Sequence, residues 1–263
     1  MTQKIGIGRA HSKIILIGEH SVVYGYSAIA LPLKNIEVVC QVQASDQALE
    51  IDISDPLSTA VFAALEFLDK SDEKISVEIE SNVPAKRGMG SSAAVAIAAI
   101  RAVFDYFDHS LSLPDLEMLA NQAEIIAHEN PSGLDAKTCL SDTAIKFIRN
   151  LGFSEMAMDL GACLVIADTG IHGHTREAVS KVRSLEEKAL PYLHRLGNLA
   201  STIEIGLLAK DLLVVGQAMN RAHDELNHLG VSSPEANHLV QIAADTYLPL
   251  REDCVSQGVI APV

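Results

Sequence analysis

The feature that most constrains this chain is a long apolar run that starts directly behind a turn containing two glycines. Residues 84–94 read PAKRGMGSSAA, and the run continues to residue 107 as SSAAVAIAAIRAVFDYF. A helix that is apolar on nearly every face has to be covered on all sides. The chain has enough apolar residues to cover such a helix, because 48% of its 263 residues are hydrophobic. We therefore predict a buried helix inside one large core or two smaller ones.

Shorter patterns before and after this helix predict both strands and helices. Apolar runs and alternation indicate strands, and apolar residues at helical spacing indicate helices. Ser112 or Asp115 is expected to cap the helix that follows the apolar run, and Pro131 to end it. The predicted strands are residues 13–17, 24–33, 35–44 and 74–84, and the predicted helices are 54–70, 91–107 and 112–131.

The second half of the chain has a different character. The segment ACLVIAD, residues 162–168, is continuously apolar and predicts a strand, and three helical segments are predicted at 175–198, 200–214 and 214–228. The looser composition near residues 150–160 predicts a domain boundary there. Mixed strands and helices followed by one strand and several helices favour an α+β fold with two lobes over a repeating βαβ series.

Charge and cysteine content narrow the classes of function. With 20 basic and 34 acidic residues the formal net charge is −14, which disfavours general binding of nucleic acid or of anionic membranes. No apolar run approaches the ~20 residues of a membrane span, and the N-terminus has no signal-peptide pattern. The cysteines form no CxxC pair, so we expect neither a zinc site nor disulfides, and a reduced, cytoplasmic setting.

The turn at Gly88 and Gly90 can be interpreted in two ways. Glycines let backbone approach a ligand closely, and a helix that begins at Ser91 and Ser92 presents free N–H groups and a positive dipole end to an anion. The stretch matches neither the Walker A loop nor GxGxxG. Alternatively, it is a turn with a serine cap before a core helix. Lys86, just before it, supplies local positive charge or is simply solvated.

Two further stretches carry polar residues at unusual places. In KIILIGEHSVVYG, Lys13 opens an apolar strand, and Glu19 has the same parity along an extended chain, so the two can share a face. Next to Glu19, His20 is either functional or a structural histidine. The alternative for the whole stretch is a strand with polar ends.

A pair of carboxylates follows the apolar helix. Glu124 lies late on the predicted helix 112–131, and Asp135 follows the break at Pro131–Gly133. If the turn brings them together, one could hold a hard cation such as Mg²⁺ and the other could take a proton from an alcohol. Alternatively, Glu124 is a solvated residue or pairs with His128, and Asp135 caps a turn.

The loop after the predicted strand 162–168 is a third candidate. Asp168-Thr169-Gly170 ends the strand, and Thr175 opens a helix. Loops at strand ends often carry binding groups. His172 and His174 have no third metal ligand nearby, and Thr175 could serve only as a helix cap.

Taken in order, KIILIGEHSVVYG, PAKRGMGSSAA and ENPSGLD resemble the motifs of the GHMP kinase superfamily, and within it the mevalonate kinases of the short bacterial kind. The resemblance covers about residues 4–242. It implies an ATP-dependent kinase that phosphorylates the 5-hydroxyl of mevalonate in isoprenoid biosynthesis, with ATP and Mg²⁺ as cofactors. It also implies a ribosomal-protein-S5-like lobe (1–152) and a ferredoxin-like lobe (153–263) with the site in the cleft between them, a cytoplasmic location, and no nucleic-acid or membrane partner. It allows for a homodimer.

The resemblance also implies roles for individual residues. Asp135 matches the catalytic base, and Lys13 the lysine that lowers the pKa of the substrate hydroxyl. Ser92, or Ser91, would hold Mg²⁺ together with Glu124. The residues that would bind ATP are Lys86, Gly88, Met89, Gly90, Ser91, Ser92 and Ala93, and those that would line the mevalonate pocket are Glu19, His20, Thr169 and Thr175.

One part of the family pattern is missing. The superfamily has a third glycine-rich motif, SGGGxGG, whereas residues 245–263 contain a single glycine, Gly258, and no regular period. We therefore expect an altered or incomplete second lobe after about residue 243, with weak ATP binding and slow turnover. Two alternatives stay open: another small-molecule kinase of the superfamily, acting on phosphomevalonate, homoserine or galactose, or a catalytically impaired nucleotide-binding protein.

Overall fold

The computed structural model of the chain describes residues 4–47, 49, 52, 55–84, 88–127, 133–157, 164–171 and 175–247. Strands and α-helices alternate irregularly, in agreement with the predicted α+β class. The strands are β1 (Ile5–Ile17), β2 (Ser27–Ala44), β3 (Ile75–Ser81), β4 (Ala144–Ile148) and β5 (Gly152–Met156). The α-helices are α1 (Pro56–Phe67), α2 (Ser91–Tyr106), α3 (Leu113–Ala127), α4 (Leu134–Leu140), α5 (Thr175–Ser184), α6 (Leu190–Ala209), α7 (Leu212–His228) and α8 (Pro234–Tyr247).

The internal contacts of the chain divide it into two compact units. Both units draw on β1 and β2, so neither is one continuous segment. The predicted division into lobes at residues 152 and 153 stays a prediction. The first unit comprises Met1–Ile14, Pro32–Ala85 and Met89–Asp142, and the second comprises Ile15–Leu31, Lys86–Gly88 and Thr143–Val263.

The strands form one sheet in the order β1-β2-β4-β5, with β3 also paired to β2. The prediction of two separate strands at 24–33 and 35–44 is wrong, because β2 runs unbroken through Lys34 and Asn35. Its first part pairs antiparallel with β4, Ser27 opposite Ile148, and its second part with β3, Val38 opposite Ser81. Both parts therefore have hydrogen-bonding partners, which stabilises the long strand.

The predicted buried helix forms as α2 and makes the core of the first unit. Its buried residues include Ala98 and Ala102, and α1 and α3 pack against it. The strand β1 lies so close that a Cβ on Gly8 would stand 1.9 Å from the carbonyl oxygen of Ala98. Only glycine fits there. The strand β1 starts at Ile5 and not at Lys13, so the predicted start of this strand is wrong.

Local hydrogen bonds start the helices beside α2. The Asp55 carboxylate accepts from the Ser58 N–H at 2.9 Å and caps α1. The Ser112 hydroxyl accepts from the Asp115 N–H at 3.2 Å, which confirms the predicted cap of α3 at Ser112. The predicted stop at Pro131 lies outside the described residues.

The helices of the second unit form. The predicted limits of 175–198 and 200–214 are wrong, whereas α7 (Leu212–His228) agrees closely with the predicted 214–228. The helical structure is interrupted after Ser184 and again between Ala209 and Leu212. Helix α6 continues without interruption through residues 198–200. Ala200 and Ile203 are fully buried, so the apolar face of α6 continues across the predicted gap. Asp211 then accepts from the Val214 N–H at 3.1 Å and caps α7.

The strand predicted at residues 162–168 is wrong in its described part. Residues 164–168 form no strand, and Val165 is 76% exposed. A strand needs a neighbour for its backbone hydrogen bonds, and within the described residues the sheet offers none to residues 164–167. Instead, the short hairpin β4–β5 joins the sheet; the sequence analysis did not predict it.

Near its end, the described chain forms one more helix, which was not predicted. Helix α8 continues to Tyr247, past the predicted change at residue 243. Residues 248–263, including Gly258, lie outside the described residues. Among the described residues, no helix is both long and apolar enough to cross a membrane.

Candidate active site

The glycine-containing turn leads into α2 without a side-chain cap. Gly88 and Gly90 have positive φ angles of 69° and 67°, and Gly90 is the N-cap residue. The alternative prediction of a serine cap is therefore wrong: Ser91 and Ser92 are the first two residues of the helix. The N–H groups of a first helical turn, together with the helix dipole, favour an anion at this point.

Ser92 adds a polar atom to this helix start. Its Oγ is shielded from solvent and has no hydrogen-bond partner among the described residues. A buried hydroxyl without a partner costs free energy, so a ligand that binds it would recover that cost. Of the other predicted ATP-binding residues, Met89 and Ala93 are buried, and Lys86 lies outside the described residues.

The central feature of the site is an ion pair between β1 and α4. The Lys13 Nζ lies 2.7 Å from the Asp135 Oδ1. Lys13 is almost completely buried, with 2% of its side chain exposed, whereas Asp135 is 35% exposed. Gly133, with a φ of 73°, is the N-cap residue of α4 and turns the chain two residues before Asp135. The pair thus has a shielded cation and a carboxylate that solvent, or a substrate, can reach.

Glu124 belongs to the same cluster. It lies on α3 and is 3% exposed. Burial raises the pKa of Glu124, the charge of Asp135 raises it further, and the charge of Lys13 lowers it. The prediction that Glu124 is a solvated helix residue is wrong, and the structure brings both predicted carboxylates and the predicted lysine together.

Glu19 and His20 lie in the turn after β1. The strand ends at Ile17 and Gly18 has a φ of 106°, so the argument from strand parity does not reach Glu19. His20 adopts a φ of 60°, which is uncommon for a residue with a side chain. Such strained conformations occur preferentially at functional positions.

Several side-chain polar atoms of this turn have no hydrogen-bond partner within the described chain. Glu19 Oε2 and both ring nitrogens of His20 are shielded from solvent and form no hydrogen bond among the described residues. Burial raises the pKa of Glu19 to about 7, against the lowering effect of its own N–H and that of Gly18. Burial also lowers the pKa of His20 to about 4. His20 is therefore uncharged near neutral pH, whereas Glu19 titrates in that range.

The remaining predicted residues are less well defined. The Thr169 hydroxyl accepts from the Ile171 N–H at 3.3 Å, and Asp168 accepts from the Gly170 N–H at 2.9 Å, so both side chains form local turns. Thr175 is the first residue of α5, but its side chain lies outside the described set, as do His172 and His174. Among the described residues, no group of three or more His, Cys, Asp or Glu side chains could hold a metal by itself.

Sequence reasoning missed two residues that contact the glycine turn. The Ser12 hydroxyl donates to the Met89 carbonyl at 2.6 Å, and the Cys139 thiol donates to the Gly90 carbonyl at 3.9 Å. Ser12 precedes Lys13, and Cys139 lies one helical turn after Asp135. The one sequence signal that could have indicated them is their short distance along the chain from Lys13 and Asp135.

Comparison with known proteins gives the class to which this fold and site are related. Residues 58–142 match the family model described as the GHMP kinases N terminal domain. The predicted resemblance to the GHMP kinase superfamily is thereby confirmed. The matched segment carries the glycine turn, α2, Glu124 and Asp135.

Relatives that match along about nine-tenths of this chain include several mevalonate kinases. The mevalonate kinase of Pyrococcus abyssi is 28% identical over 281 residues, which cover 91% of this chain and 82% of that protein. The crystal structure of mevalonate kinase from methicillin-resistant Staphylococcus aureus is 28% identical with a TM-score of 0.72, covering 92% of this chain and 83% of that one. L. major mevalonate kinase, solved in complex with R-mevalonate, shares the fold with a TM-score of 0.78 at 23% identity, covering 94% and 82%.

Proposed function

We propose that this chain is a mevalonate kinase, which transfers the γ-phosphoryl group of ATP to the 5-hydroxyl of mevalonate and thereby serves isoprenoid biosynthesis. The observation that carries the proposal is the ion pair between the buried Lys13 and the accessible Asp135, at 2.7 Å. The similarity to mevalonate kinases over about nine-tenths of the chain supports the choice of substrate.

In the proposed reaction, Asp135 is the base. The oxygen of the substrate hydroxyl attacks the γ-phosphorus, and its proton passes to the Asp135 carboxylate. The bond from the γ-phosphorus to the bridging oxygen breaks, and ADP leaves with the electron pair. The Lys13 ammonium, held beside Asp135, attracts the negative charge that develops on the attacking oxygen. Phosphoryl transfer depends mainly on such positioning and charge stabilisation.

The start of α2 is the proposed site of the ATP phosphates. The two glycines allow close approach of the backbone, and Ser91, Ser92 and Ala93 provide first-turn N–H groups. An acidic protein of net charge −14 needs such a local anion site. Lys86 is proposed to add positive charge at the edge of this site.

The residues proposed to hold Mg²⁺ are Ser92 and Glu124, with Ser91 as the alternative hydroxyl. The unpartnered Ser92 Oγ and the buried Glu124 carboxylate fit a hard cation, which takes oxygen ligands and keeps substrate phosphates among them. When bound, the ion would neutralise charge on the β- and γ-phosphates. Two protein ligands are enough for this arrangement, since the phosphates and water complete the shell.

Glu19 and His20 are proposed to bind mevalonate. Their shielded polar atoms lack partners in the described chain, so hydroxyl or carboxylate groups of a substrate could supply the missing hydrogen bonds. Thr169 and Thr175 are proposed as further contacts in the same pocket. A cytoplasmic location, a homodimer and the two-lobed division at residue 152 belong to the same proposal.

The experiment is an assay of ADP release with a panel of alcohols: mevalonate, phosphomevalonate, homoserine and galactose. We expect turnover with mevalonate that needs Mg²⁺ and is lost in Asp135→Asn. Preferential turnover of another alcohol would replace mevalonate as the substrate. Nucleotide binding without turnover of any alcohol would refute the kinase assignment.

A further inference from the structure

The first strand makes two hydrogen bonds to one carbonyl group of the glycine turn. The Met89 carbonyl oxygen accepts two hydrogen bonds, one from the Ser12 hydroxyl at 2.6 Å and one from the Lys13 N–H at 3.2 Å. Ser12 is fully buried, with 0% of its surface exposed. The residue before the proposed catalytic lysine thus binds the turn directly.

This contact determines the orientation of the peptide group between Met89 and Gly90. A trans peptide is planar, with its C=O and N–H on opposite sides. Because the Met89 carbonyl faces β1, the N–H of Gly90 points away from β1. The rotation of this peptide therefore sets the direction of a backbone donor in the glycine turn.

The surroundings of Gly90 leave little room for a different position. A Cβ on Gly90 would lie 2.8 Å from Cγ and 2.9 Å from Cε of Lys13, and 3.3 Å from Sγ of Cys139. The turn is thus packed between the Lys13 side chain and α4, which also carries Asp135. A change in the angle of the Met89 peptide would move the backbone of the turn relative to these neighbours.

We infer that Ser12 is a positioning residue for nucleotide binding: its buried hydroxyl holds the Met89–Gly90 peptide so that the turn and the start of α2 are preformed for the ATP phosphates. This inference rests on the proposed function, since it assigns those phosphates to the turn. The Lys13 N–H alone does not replace Ser12, because one hydrogen bond leaves the peptide freer to rotate than two.

The test uses the full chain with Ser12→Ala, which deletes the hydroxyl, and Ser12→Cys, which keeps a weaker donor at the same place. Thr59→Val is the matched control, because the Thr59 hydroxyl is also buried in the first unit and donates to a backbone carbonyl, that of Asp55, at 3.0 Å. The measurements are calorimetric binding of a non-hydrolysable ATP analogue with Mg²⁺, and the KM values for ATP and mevalonate.

We expect Ser12→Ala to weaken binding of the analogue and raise the KM for ATP by about 5- to 10-fold, the usual effect of one hydrogen bond. The KM for mevalonate should stay within about twofold of that of the unmodified chain, by the same reasoning that the lost bond affects only the nucleotide site. Ser12→Cys should show a smaller change in the same direction, and Thr59→Val none.

Two outcomes would overturn the inference. One is binding of the analogue at wild-type strength in both Ser12 variants. The other is a fall in kcat with an unchanged KM for ATP, which would mean that Ser12 acts only through Lys13. If Ser12→Ala fails to fold, Ser12→Cys decides the matter. If the unmodified chain phosphorylates no alcohol, the proposed function fails, while the binding measurements still test Ser12.

Discussion

The Lys13 ammonium lies 2.7 Å from the Asp135 carboxylate, and the two side chains differ sharply in exposure, at 2% and 35%. Burial of the cation keeps the interaction strong, because water screens it little on that side. The accessible carboxylate can still meet a substrate. This asymmetry distinguishes the pair from an ordinary surface ion pair, which contributes little to stability.

Removal of either partner is expected to abolish most activity. Asp135→Asn should lower kcat by about 10²- to 10⁴-fold, the usual range for a lost general base. Lys13→Met should lower it by roughly 10²- to 10³-fold, as for a lost charge-stabilising group. Lys34→Met is the control, because Lys34 and Asp142 form an exposed ion pair at 2.9 Å. Steady-state kinetics would check this, and equal losses in all three variants would contradict it.

The two buried groups of the turn after β1 predict opposite pH dependences of folding stability. The folded chain holds a proton on Glu19 up to about pH 7, whereas the unfolded chain loses it near 4.5, so this contribution to stability falls as pH rises between those values. In the unfolded chain His20 is protonated below about pH 6.5, whereas in the folded chain it is protonated only below about pH 4. The contribution of His20 to folding stability therefore rises as pH rises between these values. In the unmodified chain the two slopes largely cancel.

Single substitutions should reveal each slope. Glu19→Gln should become more stable relative to the unmodified chain as pH rises from about 4.5 to 7, by at most about 3 kcal/mol. His20→Gln should become less stable relative to the unmodified chain as pH rises from about 4 to 6.5, by a similar amount. Urea unfolding across this range would measure both changes. If stability against pH runs parallel in the variants and in the unmodified chain, burial does not shift the pKa values of these two groups.

Gly90 should tolerate no side chain. Gly90→Ala places a Cβ against the buried Lys13 side chain, which cannot move without disturbing its ion pair with Asp135. Gly152→Ala is the matched control, since Gly152 also has a positive φ, of 88°, but no atom within 4 Å of the added Cβ. The control should lose about 1–2 kcal/mol of stability from backbone strain alone.

Gly90→Ala should lose more stability than Gly152→Ala and should also lose nucleotide binding. Thermal unfolding and calorimetric titration with the ATP analogue would measure the two effects. Equal destabilisation of both variants, with nucleotide binding retained, would show that the turn has more room than its contacts indicate.

Glu124 should control the dependence on magnesium. Glu124→Gln removes a buried carboxylate that is proposed to bind the ion. The Mg²⁺ concentration for half-maximal activity should rise by at least ~10-fold, because even the loss of a residue that only hydrogen-bonds to a metal ligand has an effect of that size. Glu117→Gln is the control on the same helix, because Glu117 pairs with Lys137 at 2.9 Å. A Mg²⁺ titration that is unchanged in Glu124→Gln would remove this residue from the proposed site.

Sequence patterns were sufficient to predict the elements that depend on residues close together in the chain. The apolar run after the glycines can only be a buried helix, and α2 forms over nearly the predicted residues. Alternation indicated β3, and the side chain of Ser112 caps α3 as expected. The three motifs indicated the kind of site only through their resemblance, in order, to those of the GHMP kinase superfamily, since the residue types alone left alternatives open at each stretch.

Features that depend on contacts between residues distant in the chain became visible in the folded structure alone. The apolar segment at 164–167 forms no strand, since a strand also needs a partner for its backbone. The contact of Lys13 with Asp135 and the bond from Ser12 to Met89 join segments far apart in sequence, and no local pattern encodes such distances. Gly90, not a serine, is the N-cap residue of α2, and the packed Lys13 side chain leaves no room for a Cβ at that position.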